Sequence, residues 1–150
     1  MQFHSVDELL DFAIAKEQEA RDIYSSLADQ AGNLAMNGVF KEFSAEEAEH
    51  KRKLELVKAG KKLSSSSKKI LDLQIGDYLE DIKLQPNLSY QEALILAMKA
   101  EKNAYVMYHK LAQAAEDADI KALLLDLAQE EAKHKLRFEI EYDDNILRQN

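Results

Sequence analysis

The stretch LDFAIAKEQEARDIYSSLADQA, Leu10–Ala31, decides the fold class. Sampled at alternating steps of three and four residues it reads Leu10, Ala13, Glu17, Ala20, Tyr24, Leu27, Ala31. That spacing keeps every sampled side chain on one face of a helix, the face that packs in a bundle. A shift of 84 residues finds the stripe again, type for type, as Leu94, Ala97, Glu101, Ala104, Tyr108, Leu111, Ala115. The same offset relates Phe40, Phe43, Glu47, His50, Leu54 to Leu124, Leu127, Glu131, His134, Phe138. A fixed repeat of this length marks a duplicated supersecondary unit, here two helical hairpins.

Punctuation around the stripes sets the boundaries. Ser5-x-x-Glu8 and Ser89-x-x-Glu92 are capping boxes, in which the Ser oxygen and the Glu carboxylate satisfy free N–H groups of a first helical turn. Asp117-Ala118-Asp119 caps another start, and Gly32 is expected to end the first helix in a left-handed conformation. Helices are thus expected over 6–31, 34–59, 90–116 and 119–147. Residues 61–69, Lys-Lys-Leu-Ser-Ser-Ser-Ser-Lys-Lys, read as a loop. A short helix is expected within 70–82, interrupted around Gly76 and followed by Pro86-Asn87. The joiner 61–88 is far longer than antiparallel neighbours need. It can run the length of the bundle, since a helix of about 27 residues spans roughly 40 Å. No β-alternation of useful length appears, so the expectation is an all-α single domain over 1–150, a four-helix bundle with one long crossover.

Composition narrows the function classes. The chain has 150 residues, 46% hydrophobic and 32% charged, with four Gly and one Pro, which excludes disorder and collagen. Cysteine is absent, which removes disulfides, thiolate metal sites, iron–sulfur clusters and Cys nucleophiles. The net charge of −8 argues against general nucleic-acid binding, which depends on Lys and Arg. No apolar run approaches the length of a membrane span, and Met1-Gln2-Phe3-His4-Ser5 lacks the regions of a signal peptide. A soluble, cytoplasmic protein is expected.

Each stripe carries polar groups where packing alone would select Leu. Glu17, Glu47, Glu101 and Glu131 fall mid-helix on four inward faces, and an unpaired buried carboxylate costs several kcal/mol or takes up a proton. His50 and His134 follow two of them by three residues, so each Glu-x-x-His presents two ligands on one helix face. Two divalent cations would neutralise four carboxylates and two imidazoles together. Oxygen-rich ligation with one His per ion suits iron or manganese better than zinc. A single Glu-x-x-His is weak evidence, because solvated helix faces are full of Glu. Two of them, each with a Glu 30 residues earlier, arise by chance in about 1 in 1,000 such chains. Glu46 and Glu130 lie one residue off the stripe and are expected at the surface or behind a ligand. Glu19 and Glu49 are expected in solvent, and His4 and His109 as ordinary polar positions. Tyr24 and Tyr108 are expected to pack in the core, with a hydroxyl able to reach a ligand carboxylate.

On these residues the sequence resembles the ferritin-like superfamily, and most closely rubrerythrin-like di-iron carboxylate proteins. Glu17 with Tyr24, Glu46-Glu47-Ala48-Glu49-His50, Glu101 with Tyr108, and Glu130-Glu131-Ala132-Lys133-His134 carry the resemblance, over all four helices. It implies two iron ions, with manganese or mixed metal as alternatives. Glu17 and His50 would hold one ion, Glu101 and His134 the other, and Glu47 and Glu131 would bridge. It implies reaction with hydrogen peroxide or dioxygen and a homodimer; because the chain has no Cys, an external electron donor is expected. Iron storage and oxygenation of an organic substrate are the other functions the same site would support, and a metal-free helical interaction module is the remaining alternative. Two features depart from the family pattern. There is no Cys for a rubredoxin module, and Ala104 stands where rubrerythrins usually carry a further ligand Glu, three residues after Glu101. The implied centre is the symmetric six-ligand form.

Overall fold

A computed structural model describes residues 2–3, 5–32, 34–60, 71–72 and 82–146. Its helices are α1 (Val6–Gln30), α2 (Leu34–Gly60), α3 (Tyr90–Ala114) and α4 (Ala118–Asn145). The capping signals act as their chemistry requires. Ser5 Oγ accepts the Glu8 N–H at 3.1 Å. Ser89 and Glu92 close a complete capping box, with Oγ accepting from the Glu92 N–H at 3.1 Å and the carboxylate accepting from the Ser89 N–H at 3.0 Å. Asp117 Oδ1 accepts from both Asp119 and Ile120, at 2.9 and 3.0 Å.

Two expectations are corrected. Gly32 does not adopt a left-handed conformation; no glycine among the described residues has positive φ. Instead α1 leaves through an extended Ala31 (φ −68°, ψ 118°), whose N–H returns to the Ala28 carbonyl. The second hairpin shows why glycine is not required. Its α3 ends through an equally extended Ala115 (φ −73°, ψ 128°), and the residue matching Gly32 is Glu116. Left-handed backbone occurs instead at Asn87 (φ 61°), in the turn after Pro86, and Asn tolerates it through its short polar side chain.

The second correction concerns Leu71–Asp72, inside the span where a short helix is expected. Leu71–Asp72 forms a two-residue strand, β2, antiparallel to β1 (Gln2–Phe3), with Gln2 opposite Asp72 and Phe3 opposite Leu71. An extended partner at the N-terminus pairs with Leu71 and Asp72, so those two residues are not helical; residues 70 and 73–81 lie outside the described residues. The expected loop over 61–69 and the interruption at Gly76 lie outside the described residues.

α1 packs mainly on α2, and α3 on α4, while α1–α3 and α2–α4 touch less. Two hairpins side by side are what the repeat requires. On the α1 and α3 stripes Leu10, Ala13, Tyr24 and Leu27, and Leu94, Ala97, Tyr108 and Leu111, are buried. All five stripe residues of α2 and of α4 are buried as well. The core divides into two apolar clusters. One gathers Leu10, Leu54, Tyr108, Leu111, Leu124 and Leu127; the other gathers Tyr24, Leu27, Phe40, Phe43, Leu94 and Phe138. Apart from Ala100, the buried residues that neither cluster contains are the Glu and His residues of the stripes.

Candidate metal centre

Helix phase brings six polar side chains into the interior. Glu17, Glu47, His50, Glu101, Glu131 and His134 are each at most 5% exposed, and they are the buried polar and charged residues among those described. They form two overlapping groups. Glu17, Glu47, His50 and Glu131 can bring one ligand atom each to within 4.8 Å of one another, and so can Glu47, Glu101, Glu131 and His134. Glu47 and Glu131 belong to both groups, the positions that bridging carboxylates would take. Each hairpin therefore gives three ligand atoms to its own group and lends one to the other.

The imidazoles face inward through Nδ1. His50 Nδ1 lies 2.8 Å from Glu131, 3.4 Å from Glu47 and 3.8 Å from Glu17. His134 Nδ1 lies 3.2 Å from Glu47 and 3.4 Å from Glu101. The rings are 6.3 Å apart and nearly parallel, at 8°.

Proximity is not satisfaction. Glu17 Oε2, both oxygens of Glu47, Glu101 Oε2, Glu131 Oε1 and both Nδ1 atoms are buried without a hydrogen-bond partner. Native interiors leave few such groups, and each one calls for a reason. Ionisation answers in the same direction. Burial pushes the carboxyls of Glu17, Glu101 and Glu131 well above the usual range, and neighbouring carboxylates add to the shift. Burial opposes a charge on His50 and His134, yet the surrounding carboxylates outweigh it and raise both imidazoles. Seven unpartnered donor-set atoms around two shared carboxylates fit a pair of divalent cations. The oxygen-rich set with one imidazole per group suits a hard or borderline ion.

The tyrosines cross between hairpins. The Tyr24 hydroxyl donates to Glu101 Oε1, and the Tyr108 hydroxyl donates to Glu17 Oε1. Each of these carboxylates is thus held by the other repeat through Oε1, while its Oε2 is buried without a hydrogen-bond partner. Burial raises both phenols well above their usual range, and the facing carboxylates raise them further, so they stay protonated donors.

One participant was less legible. Glu46 lies off the stripe, yet its carboxylate sits 2.5 Å from His134 Nε2, behind the ring. Its Oε2 is itself buried without a hydrogen-bond partner; a carboxylate in this place that accepted the Nε2 proton would fix Nδ1 toward the centre. Its repeat counterpart Glu130 is exposed, and no acidic oxygen among the described residues is placed this way on His50. Packing is unequal too: Phe43 stacks on His134 with centroids 4.0 Å apart, and the repeat places Leu127 at the matching position. The remaining charges and rings lie where they were expected. Glu19 pairs with Lys16, Glu49 with Arg52, and His109 packs by Tyr105; His4 is outside the described residues.

A family model named Rubrerythrin matches residues 8–142, nearly the whole chain. The chain belongs to the rubrerythrin family. Its backbone agrees. A crystal structure described as a ferritin-like diiron-carboxylate protein, from Thermotoga maritima, superposes with a TM-score of 0.78 at 18% identity. The match covers 94% of this chain and 95% of that one, and it establishes the ferritin-like fold of this rubrerythrin-family chain. No curated protein sequence matches it.

Proposed function

We propose that this rubrerythrin-family protein is a di-iron carboxylate oxidoreductase that reduces hydrogen peroxide or dioxygen at the buried centre. The observation that carries the reading is the pair of overlapping ligand groups sharing Glu47 and Glu131. Glu17 and His50 would hold one ion, Glu101 and His134 the other. Two ferrous ions, when bound, supply the two electrons that peroxide reduction consumes.

The chain's own residues prepare that chemistry. Two apolar clusters flank the centre and limit water. Four carboxylates favour the higher charge of an oxidised ion pair, which sets the direction of electron flow. Tyr24 and Tyr108 hold the terminal carboxylates still and keep a proton at each phenol oxygen. Glu46, by accepting the Nε2 proton, would keep His134 turned with Nδ1 inward. These 150 residues hold no cysteine for a thiolate electron-transfer site, and the proposed reductant is an external donor, a separate protein or small molecule.

Glu131→Ala tests the reading because it removes an oxygen pair from both groups at once. Iron content should fall from about two ions per chain to one or fewer, and peroxide-driven oxidation should be lost with it. Wild-type iron content in that variant would sink the assignment.

A further inference from the structure

Between α1 and α3, which touch far less than the helices of either hairpin, a cleft of about 490 Å³ opens, bordered also by Leu84 of the segment before α3. Its origin is in the repeat. Ala20 and Ala104 occupy matching stripe positions three residues after Glu17 and Glu101, and two small side chains leave the helices apart. Ile23 and Met107 continue the apolar wall. The cleft reaches Glu17, a ligand residue only 1% exposed, whose Oε2 is buried without a hydrogen-bond partner.

Size discriminates between occupants. Hydrogen peroxide needs about the space of one or two waters, and a water takes about 30 Å³. The cleft offers roughly ten times that, within the range of sites for small organic ligands, about 300–1,000 Å³. Charge discriminates further. Glu19 and Asp22 stand exposed at the rim, while the ammonium of Lys16 is held by Glu19 at 3.2 Å. The rim therefore disfavours an anion, and the wall favours an apolar body.

We infer that the cleft admits a neutral organic hydroperoxide to the centre, so that the substrate class is ROOH with a small alkyl or aryl R. The inference rests on the peroxidase reading above. The O–O bond breaks, one oxygen leaves as the alcohol ROH and the other as water. One electron comes from each ferrous ion and two protons come from solvent, the same balance as for hydrogen peroxide.

The test has a binding arm and a kinetic arm on the full chain. The zinc-loaded protein is titrated with 2-phenyl-2-propanol, the alcohol formed from cumene hydroperoxide, and methyl resonances of Ala20 and Met107 are followed. Saturable shifts are expected in the wild type, and their loss in Ala104→Phe, which fills the cleft. The iron-loaded protein is then mixed with cumene hydroperoxide or hydrogen peroxide in stopped flow. The ratio of the organic to the inorganic rate should fall at least tenfold in Ala104→Phe. It should fall severalfold in Leu84→Asn, whose partly exposed position makes folding safe. Absence of saturable binding, or an unchanged ratio in both variants while hydrogen peroxide still oxidises the iron, overturns this inference and leaves the parent reading standing. Failure of both oxidants overturns the two together.

Discussion

A tyrosine on one hairpin grips a carboxylate on the other, twice over, and this exchange shows what single residues contribute. Tyr24→Phe or Tyr108→Phe removes one donor and hardly changes volume, so the fold should survive. Metal affinity should weaken by about 10–100-fold, the usual cost of losing a partner behind a ligand, as read by titration with Co²⁺ or Fe²⁺. An unchanged affinity would mean that the hydroxyls serve packing alone. The six buried polar residues were legible in the sequence because burial of a carboxylate is costly. A Glu on an inward stripe must therefore have a purpose, and helix phase is readable from spacing. Glu46 was less so. Its phase puts it between surface and core, and only the placement of α4 against α2 decides that it reaches His134 while Glu130 stays in solvent.

At the scale of elements, caps and stripes fixed the helices to within two residues, since Ser89, Glu92 and Asp117 act on backbone only three positions away. The strand at Leu71–Asp72 was not legible, because the pairing of β2 with β1 is a contact between residues about 70 apart. Local composition holds no record of such a partner. Helix α2 also carries an avoidable weakness. Gly38 is exposed within it, and a Cβ there would meet nothing within 4 Å. Gly38→Ala should stabilise the protein by about 1 kcal/mol, the difference in helix propensity, measured by urea or thermal unfolding. A loss of stability would show that α2 is strained at that point.

At the scale of the molecule, the centre sets how stability varies with pH. In the metal-free protein Glu17, Glu101 and Glu131 hold protons more tightly folded than unfolded, and so do His50 and His134. Groups with raised folded values contribute stability that is complete below their unfolded values, 4.5 for Glu and 6.5 for His, and lost as pH climbs through the folded ones. The melting temperature of the metal-free protein should therefore fall by several degrees between about pH 5.5 and 8. Metal must displace those protons, so the stabilisation it confers should grow over the same interval. A metal-free melting temperature that rises with pH would contradict the account.

The loan of one ligand in each direction has a consequence for ancestry. Glu17, Glu47 and His50 lack only a Glu131 to complete their group, and Glu101, Glu131 and His134 lack only a Glu47. Because these two loans are the same residue in the repeat, a chain of half this length, paired with itself about a two-fold axis, would supply the full set. Glu46 without a working Glu130, and Phe43 opposite Leu127, are differences that such a symmetric ancestor could not express. Fusing the halves lets the two ligand groups differ from one another.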